Sequence, residues 1–289
     1  MQIRSKDFRV NAGDAVDLKA WPTAIRPVYA SKEDYAEILN AHVTRLSTLQ
    51  EMLYASNRYA VLIIFQAMDA AGKDGAIKHV MSGINPQGCQ VVSFKHPSAE
   101  ELDHDFLWRT TRHLPERGRI GIFNRSYYEE VLVVRAHPEI LAAQNLPTMP
   151  HGEGKLWEDR FHSINGFEQH MHRNGTRILK IFLHLSKEEQ RKRLLERIDH
   201  QRKNWKIQPS DLAEREYWKD YRKAYEACLG ATSSKTAPWY VVPADDKLSS
   251  RLIVSQILRD ALEELDMHFP ETTPKRQGEL DAIRKQLSS

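Results

Sequence analysis

Five stretches of the chain are nearly unbroken runs of apolar, often β-branched residues: YAVLIIF over 59–65, CQVVSF over 89–94, RIGIF over 119–123, RILKIFLHL over 177–185 and WYVVPA over 239–244. Runs of this kind fit strands buried on both faces, as in a parallel sheet. Between them the period changes. Tyr35, Ile38, Leu39, Val43, Leu46, Leu49 and Leu53 recur at helical spacing, and Ser31 with Asp34 marks the start of that helix. A second helix is predicted over about 73–82, followed by a turn at NPQG. Ser98 and Glu101 form a capping box for a helix running to about 113. A further helix follows Asn124-Arg125-Ser126 and ends before Pro138, and the Pro- and Gly-rich residues 144–154 read as a loop. The next helix ends near Asn174 with Gly175 as its cap, and Ser186 caps its successor. Residues 197–209 are basic and lack a clear period; a helix from about Asp211 then carries Trp218, Tyr221, Tyr225 and Leu229, and a last one spans Leu248 to Leu265.

Strands alternating with helices predict an α/β domain with a five-stranded parallel sheet sandwiched by helices. Residues 1–30 show no period and read as an arm lying on the domain. Residues 31–270 form the domain itself, and the polar tail over 271–289 predicts partial disorder. No internal repeat and no further boundary stand out.

Composition narrows the class. The 289 residues are 41% hydrophobic and 28% charged, which is globular. No run of about 18 apolar residues exists, so no membrane span is expected. The N-terminus lacks the apolar core of a signal peptide, and two cysteines, Cys89 and Cys228, make no disulfide framework. A reducing cytoplasm is the expected compartment. The net charge of +3 is too small to declare a polyanion partner, but its distribution is uneven. Arginines crowd 109–135, and Arg191, Lys192, Arg193, Arg197, Arg202, Lys203 and Lys206 crowd a second stretch. A single such run reads as a solvated helix face. Two of them flanking an anion-binding loop favour an anionic ligand.

That loop is FQAMDAAGKDG, over 65–75. A strand runs into it and a helix runs out, the context of a phosphate-binding loop. Gly72 and Lys73 stand where the pattern G-x-x-x-x-G-K-[ST] requires, but Ala67 replaces the leading Gly and Asp74 replaces the hydroxyl that holds magnesium. Backbone N–H groups over Ala70, Ala71, Gly72, Lys73, Asp74 and Gly75 are the expected phosphate contacts, with Lys73 a solvent-facing point charge. The plain alternative is a small-residue turn with an exposed lysine. Asp69 argues against it. A carboxylate in an anion loop is repelled by its ligand unless a cation or a proton lies between them. Asp69 is therefore a candidate magnesium ligand, direct or through water, or a base; capping the helix is its competing role. Asp74 equally suits the helix dipole.

The third strand ends in FNRSYYEEVLVVRAHPE, over 123–139. Ligands of open parallel sheets bind at the carboxyl ends of strands, which is where Asn124 and Arg125 fall. Arg125 offers a fork of donors to phosphate. Glu129 and Glu130 follow one turn on, pointing to different sides of a helix, with Arg135 beyond. The competing reading is a capped helix with ordinary surface charges. The basic segment over 191–211 leaves one helix and returns to another, as the lids of nucleotide kinases do when they carry Arg and Lys over a transferring phosphoryl group. Trp205 is expected to anchor it hydrophobically. His170 and His172 do not share a helix face, so zinc has little support.

Taken together, QAMDAAGKDGAIKHV, IGIFNRSYYEEVLVVRAHPE, LKIFLHLSKEEQRKRLLERID and WYVVPADDK resemble the polyphosphate kinase type-2 family, in order over about 35–265. The atypical loop with its internal Asp is itself a mark of that family. FNRSYYEEVLVVR is similar to its third class, whose members phosphorylate nucleoside mono- and diphosphates. The resemblance implies a thymidylate-kinase-like P-loop fold with a helical lid at about 197–210, magnesium, inorganic polyphosphate as donor, and a homo-oligomer, dimer or tetramer. It also implies that Asp69 and Lys73 are the loop's functional pair and that Arg125 contacts phosphate. Glu130 stands where the family places an acidic residue beside magnesium, so Asp69 and Glu130 are the expected metal ligands. Arg197, Lys203 and Lys206 match lid positions facing polyphosphate, with Arg135 a further phosphate contact. Asn124 and Glu129 fall to the nucleotide side. Magnesium held by carboxylates would explain why the loop needs no Ser or Thr. Two rivals stay open: a nucleotide kinase using ATP, separated by donor preference, and a non-catalytic polyanion or nucleic-acid binder, which would not need Asp69 or Glu130. No aromatic RNA-binding motif supports the last.

Overall fold

The computed structural model describes residues 3–146 and 153–288. Five parallel strands, β1 (Ala60–Ala67), β2 (Cys89–Ser93), β3 (Ile120–Asn124), β4 (Thr176–His184) and β5 (Trp239–Pro243), lie in the order β2-β3-β1-β4-β5. All five expected strands form. The helices are α1 (Lys32–Ser56), α2 (Lys73–Val80), α3 (Ala99–Leu102), α4 (Trp108–Thr111), α5 (Glu129–Ala136), α6 (Pro138–Ala143), α7 (Glu153–Arg173), α8 (Lys187–Asp199), α9 (Pro209–Glu214), α10 (Trp218–Thr232), α11 (Lys247–Glu263) and α12 (Pro274–Leu287).

The apolar run of β1 hides a period of two, because both faces are covered. Val61, Ile63 and Phe65 join a core with Leu46 and Leu53 of α1, Ile77 of α2 and Val254 of α11. Leu62 and Ile64 face the other way, onto Val131 of α5, Ile164 of α7 and Tyr225 of α10. β1 is central, and the chain passes to either side of it, so the carboxyl ends of β1 and β3 open onto the crevice where such sheets bind ligands.

One residue on the second face is a cation. Lys180, in the middle of β4, and Glu168 of α7 have side chains 0% and 3% exposed, with Nζ 2.6 Å from Oε2. The ammonium also donates to the Tyr128 hydroxyl at 2.9 Å and the Thr232 carbonyl at 2.7 Å. The Tyr127 and Tyr128 hydroxyls donate to Glu168 Oε1 at 2.8 and 2.7 Å. Burial depresses the Lys180 pKa, against the pull of Glu168. A buried pair of this kind is tolerable only when its remaining donors and acceptors are also matched, as they are here.

The arm packs on the sheet. Arg9 makes an antiparallel bridge with Tyr240, and the Val10 N–H donates to the Trp239 carbonyl at 2.9 Å. Leu18 and Val28 are buried. Four expectations change, and one is that the helix expected from about Asp211 divides into α9 and α10. The helix expected over 98–113 splits into α3 and α4, and between them the Asp105 side chain accepts from the Leu107 N–H at 3.0 Å, a local bond that competes with helix. The capping box of Ser98 and Glu101 is present on α3 alone. The tail holds α12 rather than disorder: Thr273 caps it, Pro274 stands in its first turn and Arg276 pairs with Glu279. Of the loop expected over 144–154, residues 147–152 lie outside the described part, and α7 begins at Glu153.

Two buried histidines predict an acid-sensitive fold. His42 Nδ1 lies 2.8 Å from Ser255 Oγ, joining α1 to α11, and His184 ends β4. Burial is the main cause that lowers both pKa values to about 4. Between pH about 6.5 and 4 the unfolded chain takes up protons that the native histidines refuse, so stability falls with falling pH by roughly 1–3 kcal/mol per histidine. Urea midpoints at pH 7.5 and 5 should differ accordingly, and His42→Gln should flatten the difference by about half.

Candidate active site

β1 delivers the chain into the loop at 68–72. Ala70 and Gly72 both take left-handed backbone conformations, with φ of 62° and 102°. Gly72 adopts this freely; Ala70 does so at a steric cost. α2 starts at Lys73, so its first N–H groups face the mouth of the crevice. Lys73 is not solvent-facing as expected. It is buried, and its Nζ donates to the Ala67 carbonyl at 3.1 Å, curled under its own loop. Burial is the first cause depressing its pKa and Arg125 adds to it, while Asp69, Glu129 and Asp74 oppose the shift.

Arg125 sits directly after β3 with φ 66°, its N–H bonded to the Phe65 carbonyl at 3.0 Å. Its guanidinium reaches Asp69 Oδ1 at 3.0 Å and Glu129 Oε2 at 3.8 Å. Gln66 Nε2 donates to Glu129 Oε1 at 2.7 Å, and Asn124 Nδ2 donates to Asp74 Oδ1 at 2.7 Å. The ends of β1 and β3 are thereby tied to the loop and to α2. Beside them opens a cavity of about 290 Å³. Asp69, Arg125 and Glu129 line one side; Asp211 and Glu214 of α9 and the rings of Trp218, Tyr221 and Tyr225 of α10 line the other. Tyr221 donates to Glu214 at 2.8 Å.

The expected metal pair of Asp69 and Glu130 is not brought together. Consecutive helical residues point about 100° apart, and α5 turns Glu129 to the cavity and Glu130 into the core. Glu130 is bonded by Arg160 Nη1 at 2.8 Å and Gln144 Nε2 at 2.7 Å, and burial raises its pKa although Arg160 opposes the rise. Asp69 and Glu129 instead share one guanidinium. Among the described residues no group of three or more His, Cys, Asp or Glu is gathered to hold a metal. Two carboxylates with hard oxygen donors still fit magnesium, which keeps several waters and takes substrate phosphates as its other ligands.

The family model for polyphosphate kinase 2 matches residues 29–270. The chain belongs to the polyphosphate kinase 2 family. It is 63% identical over 287 residues to an ADP-polyphosphate phosphotransferase of Rhodopseudomonas palustris, with 99% of each chain covered. It is 43% identical over 267 residues to an AMP/ADP-polyphosphate phosphotransferase of Meiothermus ruber, covering 92% of this chain and 96% of that one. The crystal structure of a polyphosphate kinase 2 from Arthrobacter aurescens superposes with a TM-score of 0.87 at 38% identity, covering 97% of this chain and 96% of the other.

The basic segment expected as a lid is only partly assembled here. Arg197 is half-buried on the last turn of α8, and Lys203 and Lys206 are exposed. Lys203 Nζ and Lys247 Nζ lie 3.9 and 3.6 Å from the same Glu196 oxygen, so the segment meets the start of α11 at one carboxylate. Lys206 stacks on Trp205, which is 75% exposed and anchors nothing. Arg135 lies over the Trp157 ring, 5.6 Å from its centre, at the far end of α5. Sequence reasoning missed Lys247, and also Arg251, whose Nη2 stands 3.5 Å from where a Cβ on Gly75 would lie. Glu214 and Tyr221 were missed as cavity walls; the Trp218, Tyr221 and Tyr225 spacing marks a face but not what it faces.

The two neighbouring glutamates predict stability effects of very different size. Glu130→Ala strands Arg160 in the core and should cost about 3–5 kcal/mol. Glu129→Gln removes a partly exposed charge and should stay within about 1 kcal/mol of the parent in urea unfolding.

Proposed function

We propose that the protein transfers phosphoryl groups between inorganic polyphosphate and nucleotides, making ATP from ADP and ADP from AMP. The observation that carries this reading is the division of charge around the loop. One side is the aromatic cavity, where Asp69, Glu129, Asp211 and Glu214 outnumber Arg125. Such a wall repels a bare polyanion but suits a nucleoside: rings for the base, carboxylates for its hydroxyl and amino donors. On the other side Arg251 approaches the start of α2, and Lys203 and Lys247 meet at Glu196 beside the start of α11. This side suits a chain whose charge repeats along its length. Support for the acceptors comes from the relatives: the one 63% identical is named for ADP and the one 43% identical for AMP and ADP.

In this reading the terminal phosphate oxygen of the acceptor attacks the end phosphorus of polyphosphate in line. The new P–O bond forms as the bridging P–O bond to the shortened chain breaks, and no covalent enzyme intermediate is needed. Lys73 exchanges the Ala67 carbonyl for a phosphate oxygen, a swap requiring no new burial. The loop N–H groups and Arg125 hold the equatorial oxygens, where the transition state carries its charge. Asp69 and Glu129 would hold magnesium, which neutralises charge on the phosphates when bound.

Mixing the protein and magnesium with ADP or AMP and either polyphosphate or ATP is the direct test. New nucleotide should appear with polyphosphate; product from ATP alone would make this an ordinary nucleotide kinase, and product from ADP but not AMP would restrict the acceptor. Lys73→Ala should lower turnover about 10²–10³-fold. Lys203→Ala should raise KM for polyphosphate more than for nucleotide and make it less steep in salt, since an exposed charge contact is screened over about 8 Å at physiological ionic strength. A loss confined to nucleotide KM would exchange the two ligand sides.

A further inference from the structure

Gln190 and Arg193 lie three residues apart on α8 and so face the same way. What they face is the carbonyl side of the phosphate loop, with Gln190 also bordering the cavity. Gln190 Nε2 donates to the Asp69 carbonyl at 3.0 Å. Arg193 Nη1 donates to the Ala70 and Ala71 carbonyls at 3.2 and 2.8 Å. Its Nη2 donates to the Ala244 and Asp245 carbonyls at 2.6 and 3.0 Å, and its Nε to Glu189 Oε1 at 2.8 Å. A guanidinium has five N–H donors, and these contacts use all of them. Arg193 is buried and has no donor left for a ligand.

Three consecutive loop carbonyls are thus held from one helix. In a planar trans peptide the N–H points opposite to the C=O. Gripping the carbonyls of Asp69, Ala70 and Ala71 therefore turns the N–H groups of Ala70, Ala71 and Gly72 away from α8. The Ala71 N–H closes a turn onto the Met68 carbonyl at 3.3 Å, so those of Ala70 and Gly72 are the ones turned from α8 and not spent on that turn. Ala70 holds a left-handed conformation without being glycine, which persists only when its surroundings over-determine it. The two bonds on either side of it, to Gln190 and Arg193, supply that constraint. Arg215, at the end of α9, in turn donates to Gln190 Oε1 at 2.7 Å, so both legs of the basic segment bear on the loop.

We propose that Arg193, with Gln190, is a positioning residue for phosphoryl transfer: it aims the loop's N–H groups at the phosphate without touching it. The proposal rests on the reading that this loop holds the transferring phosphate. Arg193→Lys keeps the charge but has three donors on one atom, too few to bridge two loops. Gln190→Met keeps the volume and removes both the bond to Asp69 and the one received from Arg215. Amide hydrogen exchange by mass spectrometry on the full chain, with steady-state kinetics across a salt series, tests both. Exchange over residues 68–75 should rise at least about tenfold in Arg193→Lys while α1 and β4 stay protected. Turnover should fall about 10²-fold, as misplacement by about 1 Å does, with an unchanged salt slope of the polyphosphate KM. Gln190→Met should show the same pattern more weakly, and carries the test if Arg193→Lys does not fold. Unchanged loop exchange, turnover within about twofold of the parent, or a rise in exchange spread evenly over the chain would each overturn the proposal. A flattened salt slope would also overturn it, by making Arg193 a direct contact. The exchange result stands without any polyphosphate chemistry, so a parent enzyme inactive with polyphosphate would reject the functional reading and leave the clamp on the loop measurable.

Discussion

A single buried ammonium organises one whole side of the sheet. Lys180 projects from β4 into a layer that is otherwise apolar and aromatic, and it is held there by Glu168 of α7, the Tyr128 hydroxyl and the Thr232 carbonyl at the end of α10. Each partner comes from a different element. Removing any one leaves a charge or a donor stranded at near-zero exposure, where the cost is several kcal/mol. The network therefore fixes how α7, α10 and the start of α5 sit relative to the sheet. The two tyrosines it holds follow Arg125 by two and three residues. The left-handed turn that presents Arg125 to the loop is thus anchored from behind by a network buried in the core.

Much of this was legible because burial on both faces writes a strand as an apolar run. Lys180 did not obscure β4, since a single lysine flanked by Ile178, Leu179, Ile181, Phe182 and Leu183 does not break the run. Motifs local in sequence were also legible: the strand-loop-helix around Gly72 and Lys73, and the arginine that closes β3. What failed depended on phase or on distance. Choosing between Glu129 and Glu130 requires knowing where α5 begins to within one residue, because each residue turns the side chain by about 100°. Lys73 reads as exposed because its acceptor is a backbone carbonyl, which carries no side-chain signature. Arg193 was hidden in a basic run for the same reason: its acceptors are carbonyls of two loops, more than 50 and 120 residues away. α12 was misjudged because its helix rests on a cap, a proline and local pairs rather than on a buried face.

The loop is thereby a device with a front and a back. Its back is spent on α8, through Gln190 and Arg193. Its front is flanked by acid on one side and base on the other. Asp69 belongs to both, with its carbonyl on Gln190 and its carboxylate on Arg125. That dual attachment accounts for an acidic residue in a loop built for anions: the backbone is held in place whatever occupies the crevice, and the side chain stays free to exchange partners.

The two chain ends differ in a way that matters for handling the protein. β5 is an outer strand whose open edge would otherwise invite a neighbouring molecule to pair. Arg9 and Val10 occupy that edge, bonded to Tyr240 and Trp239. The leading residues thus act as a plug, and cutting them away would free the Trp239 carbonyl and open that edge to pairing with another molecule. At the other end α12 is exposed along its whole length. An affinity handle or fusion partner joined after α12 leaves the plug seated; one joined at the front must leave room for residues 9 and 10 to reach the sheet.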